Sequence, residues 1–140
     1  MKKTISFITL FAIILLSFTA CTPTSTGGGT ATVVIGTDTP TEYTLVFQDG
    51  DITNGLLSAF DMLELEYDIS GGFLNGVGDL NPQPPTYIWI YTSVSADADV
   101  SSYATTLVYK GATLTSTGKG AEEMTIEDGA IIYVGTITYG

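Results

Sequence analysis

The chain has 140 residues, with four lysines, no arginine or histidine and fifteen carboxylates, for a net charge of −11. That balance repels phosphate backbones and excludes nucleic-acid binding. The missing imidazole excludes Ser-His-Asp catalysis and His-ligated zinc, and a lone cysteine, Cys21, excludes an internal disulfide.

The chain opens with Lys2 and Lys3, followed by an apolar run from Ile5 to Phe18 and then the small residues Thr19 and Ala20 before Cys21. This is the layout of a bacterial lipoprotein signal: a charged start, an apolar stretch, a small-residue cut site and a cysteine to acylate. The run is shorter than the roughly twenty residues a membrane-spanning helix needs. An ordinary secretory signal cut near Ala20 is the alternative, and an uncleaved anchor ranks below both. Residues 1–20 are therefore expected to be a signal peptide, residues 21–30 a lipidated cysteine and linker, and residues 31–140 the folded domain. Cleavage leaves two lysines against fifteen carboxylates, a net charge of −13. Anionic lipid headgroups repel such a surface, so membrane attachment falls to acyl chains on Cys21. The expected location is extracytoplasmic, on the cell-envelope surface.

Thr22 to Thr30 reads T-P-T-S-T-G-G-G-T, a flexible tether with a reach under roughly 20 Å. Thr30–Ile35 and Glu42–Gln48 are rich in β-branched and aromatic residues and flank the turn Thr37-Asp38-Thr39-Pro40, which predicts a hairpin. Thr53 or Asn54 is placed to cap a short helix running to about Met62, with Leu56, Leu57, Phe60 and Leu63 on one stripe. Leu65–Ile69 reads as a return strand, and the glycine-rich stretch Gly72–Leu80 as a loop. Asn81-Pro82-Gln83-Pro84-Pro85 is irregular because proline offers no N–H. Thr86–Val94 is the strongest strand signal, with Ile88 and Ile90 alternating with Tyr87, Trp89 and Tyr91. Ser95–Ser102 reads as a polar, solvated insertion. Leu107–Tyr109 and Thr113–Thr115 flank Lys110-Gly111 as a hairpin, Glu127-Asp128-Gly129 is a tight turn, and Ala130–Tyr139 is a closing strand. The order ββαβ followed by further strands predicts an α+β fold with a mixed sheet and one covering helix.

Four segments carry a family likeness: Gly55-Leu56-Leu57-Ser58-Ala59-Phe60, Ser70 to Gly78 (SGGFLNGVG), Thr86 to Ser93 (TYIWIYTS), and Gly120-Ala121 through Met124–Gly129 to Tyr133. In this order and spacing, over about residues 42–139, the chain resembles the bacterial transcobalamin C-terminal-like domain family. The resemblance implies a compact β-grasp-like (ubiquitin-like) fold. It also implies a corrinoid, cobalamin-like ligand, because in vitamin-B12 carriers the related domain closes over one face of that molecule. A separate helical domain supplies the rest of the carrier site, and these 140 residues leave no room for one. Family members often carry Tyr-Trp where this chain has Tyr87-Ile88, with its tryptophan one place on at Trp89, which turns the ring to the other strand face.

No catalytic residues are expected. Gly118-Lys119-Gly120 lacks the P-loop's first glycine and the Ser or Thr after its lysine, and Gly76-Val77-Gly78 is an incomplete dinucleotide signature. Asp97-Ala98-Asp99 lacks the glycine and distal glutamate of a calcium loop, so neither a metal nor a cofactor is expected. The aromatic row Tyr87, Trp89 and Tyr91 is the sharpest positive feature, since rings with a polar tip suit binding surfaces. Phe73, from the glycine-rich segment, joins them as a candidate ligand-binding residue. The competing reading has Tyr109 and Tyr133 covering the row as a secondary core. The expected function is a non-enzymatic small-molecule-binding module; the alternative is a protein-interaction or envelope-structural module whose partner is an envelope protein.

Overall fold

The computed structural model describes residues 27–140; the expected signal peptide, Cys21 and most of the expected tether lie outside the described residues. The domain is a mixed α+β structure made mostly of strands. Its elements are β1 (Gly29–Ile35), β2 (Thr41–Phe47), α1 (Gly55–Met62), β3 (Tyr67–Ser70), β4 (Phe73–Val77), β5 (Thr86–Thr92), β6 (Thr106–Tyr109), β7 (Ala112–Ser116) and β8 (Ile131–Thr138). Short 3-10 turns cover Ser95–Asp97 and Ala121–Glu123.

Six strands form one sheet in the order β2-β1-β8-β5-β7-β6, and β3 and β4 form a separate two-stranded sheet. β1 runs parallel to β8 and every other pair is antiparallel, so the sheet is mixed. The period-2 alternation of the strands gives the main sheet two different faces. Val33, Leu45, Phe47, Ile132 and Val134 on one face pack against Leu56, Leu57 and Phe60 of α1, and all eight are buried. Ile88 and Ile90 join this core from β5. The hydrophobic stripe read in the helix is therefore the stripe that closes the core.

Asn54 precedes the helix but makes no side-chain cap. Instead the buried Ser58 Oγ reaches back to accept from the backbone N–H groups of Thr53 (3.1 Å) and Asn54 (2.7 Å), the reciprocal half of a capping box without the cap itself.

Two segments depart from the sequence expectation. Gly72–Leu80 is not a loop throughout: Phe73–Val77 is β4, paired with β3 across a bulge between Asp68 and Ile69. Its glycines mask a strand whose Leu74 and Val77 enter the core. Ser95–Ser102 is not simply a solvated insertion either. Asp97 is fully buried, and Lys119 Nζ reaches its Oδ1 at 2.9 Å. Thr125 donates to the same carboxylate from its backbone N–H and, at 3.2 Å, from its hydroxyl. The carboxylate thus ties three loops together, and full pairing is what makes its burial tolerable.

On the far face, Val34, Leu114 and Tyr133 form a second small core with Tyr91, Leu107, Tyr109 and Ile131 packed against it. The β6–β7 hairpin turns at Lys110 (φ 48°) and Gly111 (φ 83°), the left-handed pair that a two-residue turn matching strand twist requires.

Candidate functional site

β5 carries the candidate residues, and its neighbours set what each can do. Along β5, Thr86, Ile88, Ile90 and Thr92 share the helix face, while Tyr87, Trp89 and Tyr91 share the far face with Tyr133, Gly135 and Ile137 of β8. The rings of the row do not share one fate. Tyr91 packs edge-on against Tyr133 at 6.4 Å, and Tyr133 against Tyr109 at 5.5 Å, so Tyr91 belongs to the second core. Burial is the main reason the Tyr133 hydroxyl titrates above its usual range, with the Asp38 charge adding to it. Tyr87 and Trp89 instead pair with Tyr139, at 6.0 Å and 6.5 Å. The Trp89 indole N–H donates to Thr105 Oγ1 at 3.1 Å, which fixes the ring's orientation.

Tyr87, Trp89 and Tyr139 line a cleft of about 820 Å³, and Phe73 stands on its opposite lip. Phe73 is 74% exposed, Tyr139 55% and Tyr87 47%, so these rings present apolar surface to solvent. Three of the four sequence candidates, Phe73, Tyr87 and Trp89, therefore meet at one cleft, and Tyr91 does not.

The other wall mixes polar groups with Leu74, Ile88, Pro82 and Pro84. Asp68, Ser70 and Asn75 come from the outer face of β3 and β4, and Asn81 and Gln83 from the proline-rich segment. Asn75 Nδ2 donates to Ser70 Oγ at 2.7 Å and to the Phe73 carbonyl at 3.3 Å, which steadies that wall. Asn81 wedges against Gly76, where a Cβ would lie only 2.1 Å from Asn81 Oδ1. Gly76 is thus the residue that lets the proline-rich segment close down on β4.

These polar residues and Tyr139 were not singled out in the sequence. For Tyr139 a signal existed, because counting by twos from Tyr133 puts it on the Trp89 face. For Asn75, Asn81 and Gln83 none existed: Asn75 is on β4 and the other two in the proline-rich segment, which folds back on β4 through the Val77–Leu80 turn and the approach of Asn81 to Gly76.

A second depression of about 290 Å³ adjoins the cleft, sharing Phe73, Leu74, Ile88 and Trp89 and running to Lys119 and Ala121. The hydroxyls of Ser70, Thr86 and Thr117 in these linings bond to Asn75, Thr138 and backbone carbonyls, and none is paired with the Asp68 carboxylate or the Lys119 amine as an activated nucleophile is. Among the described residues no group of three or more acidic residues is placed to hold a metal ion, and no helix is long and apolar enough to cross a membrane. No protein-family model matches the chain, and no curated protein matches it.

Proposed function

We propose that the chain is an envelope-surface lipoprotein, anchored through acylated Cys21, whose domain binds a small molecule without transforming it. The observation that carries this reading is the convergence of Phe73, Tyr87, Trp89 and Tyr139 on one cleft beside β5. Its volume lies within the roughly 300–1,000 Å³ common for small-molecule sites, and its lining mixes rings with a few polar groups, as such sites do. A hairpin, a covering helix and a last strand parallel to the first support the β-grasp-like (ubiquitin-like) assignment. With the transcobalamin C-terminal-like resemblance, that fold makes a corrinoid the first ligand to try. Titrating the full-length protein with cobalamin, followed by calorimetric heat, tests this version. Saturable binding is expected, and its absence at high micromolar ligand overturns the corrinoid.

One observation favours a second reading, a protein-interaction module. β5 pairs with β7 only at Tyr91 and Thr92; the Ile90 carbonyl accepts from the Thr117 N–H and the Thr86 N–H donates to the Gln83 carbonyl, so the edge is open only around Ile88. Tyr139 N–H donates to the Pro85 carbonyl and Ser93 N–H to the Ile131 carbonyl, which fixes the odd-numbered residues of β5 as those bonded to β8. The N–H and C=O of Ile88 consequently point to the open edge, available to an added strand. Crosslinking in intact envelopes from a photoreactive residue at position 88 is expected to capture one recurrent protein partner on this reading; its absence counts against it.

A further inference from the structure

Resting on the reading that the cleft beside β5 binds a small molecule, we propose that its ligand is a neutral oligosaccharide. The two walls of the cleft supply the two chemistries that a sugar ring presents. A pyranose has an apolar C–H face, which stacks on aromatic rings, and a rim of hydroxyls, each both donor and acceptor. Tyr87, Trp89 and Tyr139 answer the first, and Asn75, Asn81, Gln83 and Asp68 the second.

A side-chain amide carries an acceptor and two donors in one plane, which suits neighbouring hydroxyls, and a carboxylate accepts two more hydrogen bonds. Asn75 and Asn81 spend amide donors within the chain, on Ser70, Phe73 and Gly78, and keep acceptor capacity. Gln83 is exposed and, among the described residues, spends neither its donors nor its acceptor. A purely apolar ligand leaves this wall unpaired as it drives out water, at a cost for each orphaned group.

Charge narrows the class further. The cleft of about 820 Å³ contains no cation, and its one ionised group is Asp68. Both lysines of the described residues are engaged elsewhere, Lys110 by Glu42 and Lys119 by Asp97. A phosphate, sulfate or uronate therefore meets repulsion with no compensating ion pair. The adjoining depression extends the surface past Trp89 toward Gly118, Lys119 and Ala121, with the Lys119 ammonium held 2.9 Å from the buried Asp97 carboxylate, so the groove is longer than one sugar ring needs. That favours an oligosaccharide over a monosaccharide.

Trp89 is the only tryptophan, so its emission reports on this cleft and the depression that adjoins it. The test titrates full-length protein with cellotetraose, maltotetraose and chitotetraose as neutral probes, tetragalacturonate as an acidic one, and cobalamin, using Trp89 emission and calorimetry. At least one neutral tetrasaccharide is expected to give a saturable response. Gln83→Ala and Tyr139→Ala should each weaken it by about tenfold or more, as loss of a paired polar group or a stacked ring does. Val46→Ala, on a strand remote from the cleft, should leave it unchanged. Binding of cobalamin without any neutral sugar overturns the saccharide assignment and leaves the small-molecule reading standing. Binding of tetragalacturonate alone overturns the charge argument, and silence from every probe overturns both. A sugar response that survives both Gln83→Ala and Tyr139→Ala removes the cleft as its site.

Discussion

Lys110 Nζ lies 2.8 Å from Glu42 Oε2, although the two residues belong to opposite ends of the six-strand order. Glu42 stands on the edge strand β2, and Lys110 at the tip of the hairpin that ends in the other edge strand, β6. The Tyr109 hydroxyl donates to the same carboxylate oxygen. The sheet therefore curls until its edges touch, and the hairpin roofs the second core of Val34, Leu114 and Tyr133.

This contact predicts a pH window. Hydrogen bonds from Lys110 and then Tyr109 hold the Glu42 carboxyl below its usual pKa, so its stabilising effect is full above the ordinary carboxylate range and fades as pH falls through the lowered value. The hydrogen bond to Glu42 raises Lys110, whose effect is full below its ordinary pKa and fades as pH rises through the raised one. The difference in thermal midpoint between wild type and Glu42→Gln should thus be largest between these limits and shrink at both ends. Because both side chains are solvated, it should also shrink in molar salt. A difference independent of pH and salt shows that the latch is not electrostatic.

Asp97 is the most consequential charged residue of the fold. Asp97→Ala leaves the Thr125 N–H and Lys119 without their shared acceptor and should destabilise the domain by about 3 kcal/mol or more in urea denaturation. Asp97→Asn keeps an acceptor for Thr125 and should recover part of the loss. Equal losses in the two variants show that Thr125 is incidental.

Phe60 is fully buried where α1 meets the sheet and stacks at 5.8 Å on Tyr67. Phe60→Ala should cost about 3–5 kcal/mol, the range for a large aromatic truncated in a packed core. A loss under about 1 kcal/mol, from the same denaturation curves, shows that the helix is not the principal lid of that core.

Cys21→Ser should release the protein from membranes or block its maturation, as expected if acyl chains are the only attachment of so acidic a chain. Unchanged membrane fractionation overturns the lipoprotein reading.

Much of the fold was legible because its signals are local. The alternation of Tyr87 to Thr92 marks β5, and the Leu56, Leu57 and Phe60 stripe marks α1. β4 was hidden because Gly76, which reads as a loop residue, is there for the close approach of Asn81. Asp97 misled for a related reason: an acid two places from Asp99 in a polar stretch reads as solvated, and its partners lie 22 and 28 positions away, at Lys119 and Thr125. The ring wall of the cleft was visible in part, because period 2 sorts Tyr87, Trp89 and Tyr91 onto one face. It does not reveal that Tyr133 draws Tyr91 into a core while Tyr139 keeps the other two at a surface. That division depends on β8, more than 40 residues on.

The engagement of Lys110 and Lys119 has a consequence for resistance to proteolysis. With no arginine in the chain, the described domain offers a trypsin-like protease only these two peptide bonds. The cationic side chain such an enzyme must seize is held at each by a carboxylate, one of them buried. Cleavage then waits on local opening of the hairpin or of the Asp97 loop, and its rate follows the free energy of that opening. A surface so depleted of basic residues is thereby a poor substrate for one of the commonest classes of secreted protease.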